Sequence, residues 1–273
     1  MLKLITIASL FLGAPYQFEP WGEGEHGVYS TLPLYRFDQF DCVTFVDTVL
    51  AKYYSHDDAS FESILIKMRY RDGKIDYTHR TDWFTDLEWN PNMQQLGFLS
   101  DATYQITETK TATATINKPE WFSKKTAANI ALPHLSKKNI QQKLELLQKE
   151  GDRFHAEEST LSYIPLSTLL HDESLLNRFP PAAVIELVRP NWRPVNPLDT
   201  SEDYGTNLNV AHMGIAVSTP RGMMFYHASS VEKKVVLLPL IDYLKQFEHD
   251  SRKEPVAGIH VEAIQEKNDA SID

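Results

Sequence analysis

Cysteine is the scarcest residue of chemical interest in this sequence, since the 273-residue chain contains one, Cys42. A single thiol excludes an internal disulfide and leaves two interpretations open, a small buried hydrophobe or a nucleophile. The ten histidines show no metal-ligand spacing, so we expect no metal site and no cofactor. No apolar run is long enough to cross a bilayer, which predicts a chain without an integral membrane segment.

Positive charge is also in short supply, with 27 Lys and Arg against 37 Asp and Glu and a formal net charge of −10. Phosphate binding needs a concentrated basic surface, so this balance argues against a nucleic-acid partner. The basic residues that do lie close together in sequence, Lys67, Arg69, Arg71 and Arg80, are most simply interpreted as a solvated face. The 42% content of hydrophobic residues is typical of a folded protein with a sizeable core.

Helical patterns mark the first part of the chain. The apolar residues 1–12 have features of a short signal peptide, but Pro15 directly after the small residues favours a helix of the mature protein. Asp41 is a candidate N-cap for a helix with an apolar stripe, and a further helix is predicted from Ser60. Residues 119–178 look mostly helical, with Gln141 to Glu150 as the clearest segment.

Strand patterns dominate the last third. Thr107 to Ile116 already alternates Thr and Ala in a strand-like way. Short apolar runs separated by turn residues follow at 183–188, 210–217, 223–227, 235–238 and 257–261. Helices first and strands last predict the α+β class with an antiparallel sheet. We expect one domain over residues 1–273, with a helical insertion at about 100–178.

The only thiol lies at the first turn of a predicted helix, directly after Asp41. Unpaired N–H groups and the helix dipole favour an anion there, so the position favours a thiolate. His212 opens an apolar strand, and His227 closes the next one. Neighbouring antiparallel strands bring residues within about 5 Å, so His227 is expected to bond the far nitrogen of His212. A nucleophile, a base and an orienting group form the general pattern of nucleophilic catalysis, although strand-end histidines are often only half-exposed surface residues.

These residues carry a family resemblance. Asp-Cys at a helix start, His-x-Gly-Ile on a strand and His-Ala-Ser on the next strand resemble the NlpC-type cell-wall peptidases, a papain-like superfamily. Gly13-Ala14-Pro15-Tyr16 is similar to the Gly-x-Pro-Tyr segment that precedes their nucleophile helix. Four segments narrow the resemblance to the N-acetylmuramoyl-L-alanine amidase-like branch: Phe40–Val46, Arg69–Gly73, Pro181–Ile185 and His227–Ser230.

The resemblance implies a papain-like core, with the nucleophile helix packed on an antiparallel sheet. It makes Cys42 the nucleophile, His212 the general base, His227 the orienting residue and Tyr16 a tyrosine that lines the site. The implied reaction is hydrolysis of the amide between N-acetylmuramic acid and L-alanine, in peptidoglycan or a muropeptide. A substrate of this kind implies a periplasmic or secreted protein.

Two departures from the superfamily pattern bear on specificity. The insertion between Tyr16 and Cys42 is long enough to build a lid or substrate wall. The common Asp-Cys-Ser-Gly becomes Asp41-Cys42-Val43-Thr44, and Val43 lacks the hydroxyl that helps hold a free L-alanine amine in peptidases of the stem peptide. Two alternatives stay open, a D,L-endopeptidase that cuts after γ-D-glutamate and a non-catalytic cell-wall binding module.

The further candidate substrate-binding residues are Asp41, Thr44, Arg80 and Trp83. Arg69 and Arg80 carry charges that could meet substrate carboxylates. Trp83 and Trp89 could wall a sugar site, although aromatic residues are more often part of the core.

Overall fold

The computed structural model describes residues 1–196 and 198–266, in which helices cover both faces of one antiparallel sheet. The helices of these residues are α1 (Leu2–Leu10), α2 (Cys42–Tyr54), α3 (Asp58–Arg69), α4 (Asn90–Gln95), α5 (Thr103–Ile106), α6 (Lys118–Ser123), α7 (Lys137–Glu150), α8 (Leu166–His171) and α9 (Leu240–Lys245). The strands are β1 (Leu99–Asp101), β2 (Lys110–Asn117), β3 (Ala156–Pro165), β4 (Ala182–Trp192), β5 (Val195–Asn196), β6 (Asp199–Asp203), β7 (Leu208–Thr219), β8 (Gly222–Ser229), β9 (Lys234–Pro239) and β10 (Gly258–Ile264). Within these ranges, no helix combines the length and apolar character that a membrane span requires.

The main sheet has the strand order β2-β3-β10-β4-β7-β8-β9, with β1 paired to β10 beside this path. Alternate residues of each strand point to opposite faces of the sheet. Both faces are buried, each in its own hydrophobic cluster. Val184 and Ile215 pack in the cluster that contains α1, α2 and α3. Ile185 and Phe225 pack in the cluster that contains α8 and α9. The α+β class with an antiparallel sheet, predicted from the order of elements, is confirmed.

Helix α2 begins where the sequence predicts, because Asp41 and Thr44 form a reciprocal capping box. The Thr44 N–H donates to Asp41 Oδ1 at 2.9 Å, and the Asp41 N–H donates to Thr44 Oγ1 at 2.9 Å. Behind this cap the helix is buried from Thr44 through Ala51. Helix α1 covers it with Leu4, Ile7 and Ala8, which confirms the predicted helix at residues 1–12.

The prediction that residues 119–178 are mostly helical is wrong for β3, a ten-residue strand between β2 and β10. Its strand pattern is hidden because two of its buried positions are serines rather than apolar residues. The Ser159 hydroxyl donates to Asp86 at 2.8 Å and the Ser162 hydroxyl to Asp101 at 3.3 Å. Residues 100–178 are therefore a mixed segment that widens the sheet with β2 and β3, and not a helical one.

Candidate active site

Cys42 is the first residue of α2, and its side chain is a half-buried free thiol. The backbone N–H groups of Met213, Val43 and Cys42 itself point towards the sulfur. The helix start therefore meets strand β7 at the residue next to His212. This contact places the only thiol beside the predicted base.

Cys42 and His212 line one cavity of about 540 Å³. Its other walls come from the loop before α2, from the segment after α3 and from the start of β7. Four of the five predicted substrate-binding residues also line it, Tyr16, Asp41, Arg80 and Trp83. The structure thus brings residues that lie as far apart as positions 16 and 212 into one space.

A hydrogen bond joins His212 on strand β7 to His227 on the neighbouring strand β8. His212 Nε2 lies 2.8 Å from His227 Nδ1, which is the contact predicted from the hairpin. His227 is buried, with its ring stacked on Phe225 and packed against Tyr243. Because Nε2 of His212 is engaged, Nδ1 is the nitrogen left to exchange a proton with a reacting group.

Burial sets the charge state of these three groups. It raises the pKa of the Cys42 thiol to about 12, assisted by the Asp41 carboxylate and opposed by the three backbone N–H groups at the sulfur. Burial lowers the pKa of His212 to about 3, with a smaller contribution from His227. It lowers the pKa of His227 to about 4. Desolvation therefore opposes the thiolate that the helix dipole favours, and it favours the neutral form of both imidazoles.

Asp41 and Thr44 lie beside the thiol, but their side chains are hydrogen-bonded to each other. Thr44 donates both its N–H and its hydroxyl to Asp41 Oδ1, at 2.9 and 2.8 Å. Asp41 Oδ2 accepts from the Glu19 N–H at 3.0 Å. These bonds fix the start of α2 and tie the preceding loop to it.

Tyr16 approaches the thiol from the loop side. Its N–H donates to the Lys233 carbonyl at 2.9 Å, which anchors the residue to the β8–β9 hairpin. Burial, and then the proximity of Cys42 and Asp41, hold the pKa of Tyr16 well above its ordinary value. The phenol is thus a neutral hydrogen-bond donor in the cavity.

The predicted solvated face at Lys67–Arg80 is wrong for two of its members, because Arg69 and Arg80 are buried at 0% and 5% exposure. Arg80 forms a two-bond ion pair with Asp82, at 3.1 and 2.9 Å. Arg69 Nη1 donates to the carbonyls of Gly22 and Leu34, at 2.9 and 3.2 Å. Arg69 thus holds the long loop before α2 and does not face a substrate, whereas Arg80 reaches the cavity wall.

The two candidate sugar-contacting tryptophans separate in the structure. Trp83 is half-buried on the cavity wall, with the Arg80 guanidinium 4.1 Å from its ring centroid. Trp89 is 0% exposed, and its indole N–H donates to Asp47 at 3.0 Å. The interpretation of Trp89 as part of a sugar wall is therefore wrong, because it is a core residue.

Two cavity residues have no signal in the sequence. Glu19 has a left-handed backbone, with φ of 43°, and its carboxylate accepts from the Trp83 indole N–H at 3.2 Å. Tyr204 joins the same wall from a distant part of the chain. An isolated glutamate before a proline and an isolated tyrosine in a loop carry no pattern, so only the fold reveals them. Among the residues that the structure describes, no group of three or more His, Cys, Asp or Glu is arranged to hold a metal ion.

Comparisons with known proteins give a consistent result. A family model described as N-acetylmuramoyl-L-alanine amidase-like matches residues 6–249. A structure from Legionella pneumophila is 33% identical, with 97% of this chain and 89% of that chain covered and a TM-score of 0.89. An N-acetylmuramoyl-L-alanine amidase from Bacteroides uniformis is 23% identical over 97% of this chain and 98% of its own, and its TM-score of 0.60 shows a shared fold. No curated protein matches the chain.

Proposed function

The chain belongs to the N-acetylmuramoyl-L-alanine amidase-like family, and on that premise we propose that it is a cysteine-dependent amide hydrolase of peptidoglycan or muropeptides. One observation carries the proposal. Cys42 and His212 line the same cavity, and His227 binds the far nitrogen of His212. A nucleophile at a helix start, packed on an antiparallel sheet that supplies its base, also supports assignment to the papain-like NlpC superfamily.

The neutral resting pair defines the first step. In the tautomer that this step requires, His212 donates its Nε2–H to His227 Nδ1 across the 2.8 Å between them, so Nδ1 of His212 is unprotonated and can accept the thiol proton. As the proton leaves, Cys42 Sγ attacks the amide carbonyl carbon and the carbonyl oxygen becomes an oxyanion. The N–H groups at the start of α2, including that of Cys42 itself, stabilise this charge. His227 remains an acceptor throughout, which makes it a positioning residue.

Collapse of the tetrahedral intermediate breaks the C–N bond. His212 Nδ1 returns its proton to the leaving amine, and the acyl group remains on Cys42 as a thioester. A water then attacks the thioester with His212 as base. The carboxylic acid leaves, Cys42 recovers its proton, and the starting state is restored.

The bond that we propose is the amide between N-acetylmuramic acid and L-alanine. For this bond the acyl half carries the sugar, and the cavity at Cys42 offers the aromatic walls Trp83 and Tyr204 for it. Val43 also lines this cavity in place of a serine, so the site lacks one hydroxyl that would hold a free L-alanine amine. A substrate of the cell wall supports a periplasmic or secreted location.

The experiment is digestion of a muramyl tripeptide followed by mass spectrometry of the products. The intact enzyme should release the free sugar and a peptide that begins with L-alanine. Cys42→Ala and Cys42→Ser should abolish turnover while the melting temperature changes by a few degrees, because each replacement removes or exchanges a single side-chain atom. A Cys42→Ala variant with full activity would rule out the cysteine mechanism. Release of the third amino acid, with the sugar still attached to L-alanyl-D-glutamate, would instead identify the D,L-endopeptidase.

A further inference from the structure

A second cavity of about 740 Å³ adjoins the first one at the catalytic histidine. The two cavities share four lining residues, Trp192, Ala211, His212 and Ser230. Cys42 lines only the first, and His227 lines only the second. His212 therefore stands between a space that contains the thiol and a space that does not.

The second cavity contains an unusual cation, Arg189. The residue is 8% exposed, and its Nε donates to the backbone carbonyl of Glu254 at 2.6 Å. Its guanidinium lies 4.2 Å from the Trp192 ring centroid. Within residues 1–196 and 198–266, no carboxylate forms an ion pair with it. A buried guanidinium that donates to an uncharged carbonyl is costly, and an anion in the cavity would offset that cost.

The charged neighbours of Arg189 act on its guanidinium in both directions. Arg252 also lines the cavity, and burial together with this second guanidinium lowers the pKa of Arg189, against a smaller opposing effect of the Asp250 and Glu254 carboxylates. The nearby Asp250 carboxylate is already engaged, because Arg252 donates to its two oxygens at 2.7 and 2.5 Å. The indole N–H of Trp192 is buried with no hydrogen-bond partner among the described residues. Arg189 thus lines a space beside His212 without a carboxylate bonded to it.

The reaction chemistry indicates what occupies this space. His212 hands its proton to the leaving amine, so the amine half of the substrate lies on the His212 side. In the proposed substrate that half is a peptide whose γ-linked D-glutamate carries a free α-carboxylate. We infer that Arg189, supported by Trp192 and Arg252, forms a carboxylate-binding subsite for the peptide half of the substrate. The inference rests on the proposed function for the identity of this peptide.

Binding of the peptide product tests the subsite without any bond cleavage. The ligands are L-alanyl-γ-D-glutamyl-L-lysinamide, in which the glutamate α-carboxylate is the one free carboxylate, and the same tripeptide with that carboxylate converted to an amide, each titrated calorimetrically into the protein. The wild type should bind the acid about 10–100-fold more tightly than the amide, since a buried charge-assisted bond is lost with the amide. Arg189→Gln should lose this preference and bind the amide as the wild type does.

Two further variants control for structure. Arg189→Lys keeps the charge but loses the planar donor pair, so it should retain part of the preference. Arg221→Gln removes an exposed arginine outside both cavities and should bind like the wild type. If Arg189→Gln does not fold, a lysine variant with undiminished preference for the acid would overturn the assignment. An equal loss of affinity for acid and amide in Arg189→Gln, or no preference in the wild type, would also overturn it.

The result is separable from the proposed function. A wild type that prefers the acid through Arg189, but releases no sugar from a muramyl tripeptide, would refute the amidase and keep the subsite. A wild type that releases sugar but binds acid and amide equally would refute the subsite and keep the amidase.

Discussion

Buried histidines occur in two regions of the same sheet, and their pKa values are shifted in opposite directions. His227 on β8 is 4% exposed, and His260 on β10 is 2% exposed. Burial lowers the pKa of His227 to about 4 and that of its partner His212 to about 3. The pKa of His260 is instead raised to about 9. Burial alone therefore does not decide whether a histidine of this protein is a base or a cation.

The difference lies in what each ring touches. His227 packs against the Phe225 and Tyr243 rings, and its hydrogen-bond partner is another imidazole. His260 Nε2 lies 2.9 Å from the Glu262 carboxylate, with the Glu186 carboxylate also close enough to raise its pKa. Desolvation disfavours the charged imidazole in both places, but only His260 has carboxylates that outweigh it. An imidazole environment yields a neutral base, and a carboxylate environment yields a structural cation.

The largest expected effect is a loss of rate when a member of the neutral pair, His212 or His227, is replaced. His212→Ala removes both the base and the acid of the proposed reaction, so kcat/KM should fall by about 10²–10⁴-fold. His227→Ala removes only the orienting partner and should cost less. Rate measurements on a muramyl tripeptide test both, with melting curves as the control for folding. A greater loss at His227 than at His212 would mean that their roles are exchanged.

The next largest effect is a loss of stability when the cationic histidine, His260, is replaced. The activity of the folded enzyme should be preserved. His260→Gln leaves the buried Glu262 without its cation, which should cost about 3–5 kcal/mol of unfolding free energy. The paired replacement of His260 and Glu262 by Gln should cost less, because no buried charge is left unpaired. Urea denaturation of the three proteins measures this. His249→Gln, on the exposed surface, is the matched control.

The pair of His260 and Glu262 also predicts how the free energy of unfolding depends on pH. The folded pKa of about 9 lies above the ordinary histidine pKa of 6.5, so protonated His260 stabilises the fold fully below pH 6.5. This contribution, about 3 kcal/mol at most, should be lost as pH rises through about 9. Glu186, whose pKa burial raises to about 8, acts in the same direction. An unfolding free energy that does not decline between these pH values would contradict the interpretation of His260 as a cation.

The contrast between the two regions also shows where sequence reasoning succeeds. Helix α2, its Asp41 cap and the hairpin of β7 and β8 follow from local patterns, and these elements bring Cys42, His212 and His227 together. Residues close in sequence or on adjacent strands have contacts that periodicity can predict. The contact between His212 and His227 is of this kind.

Contacts between distant polar residues cannot be predicted in this way. His260 looks like one of several scattered histidines, and the structure surrounds it with Glu186, Thr103 and the Ser162 carbonyl. Strand β3 is missed for a related reason, since Ser159 is buried by a bond to Asp86 and not by apolar packing. The charge state of Cys42 is the third case, because helix position is visible in sequence and desolvation is not.

The smallest expected effect is a change in pH dependence when His212 is given a carboxylate neighbour like that of His260. His227 uses Nδ1 to bind His212, and Asp Oδ1 and Asn Oδ1 occupy the same place in the covalent structure, two bonds from Cβ. His227→Asp therefore puts a carboxylate against His212, as Glu262 is against His260. His227→Asn puts a neutral acceptor at the same point and is the matched control. Both should fold, since the bond to His212 is preserved.

The pH profile of kcat/KM distinguishes the two variants. His212 must be unprotonated to accept the thiol proton, and its low pKa keeps it so in the wild type down to about pH 3. A carboxylate neighbour should raise that pKa by about 1–3. In His227→Asp the rate should therefore fall at a higher pH on the acid side, whereas His227→Asn should follow the wild type. If both variants shift equally, loss of the imidazole ring rather than the new charge is responsible. If neither shifts, His212 is not the base that limits the reaction in acid.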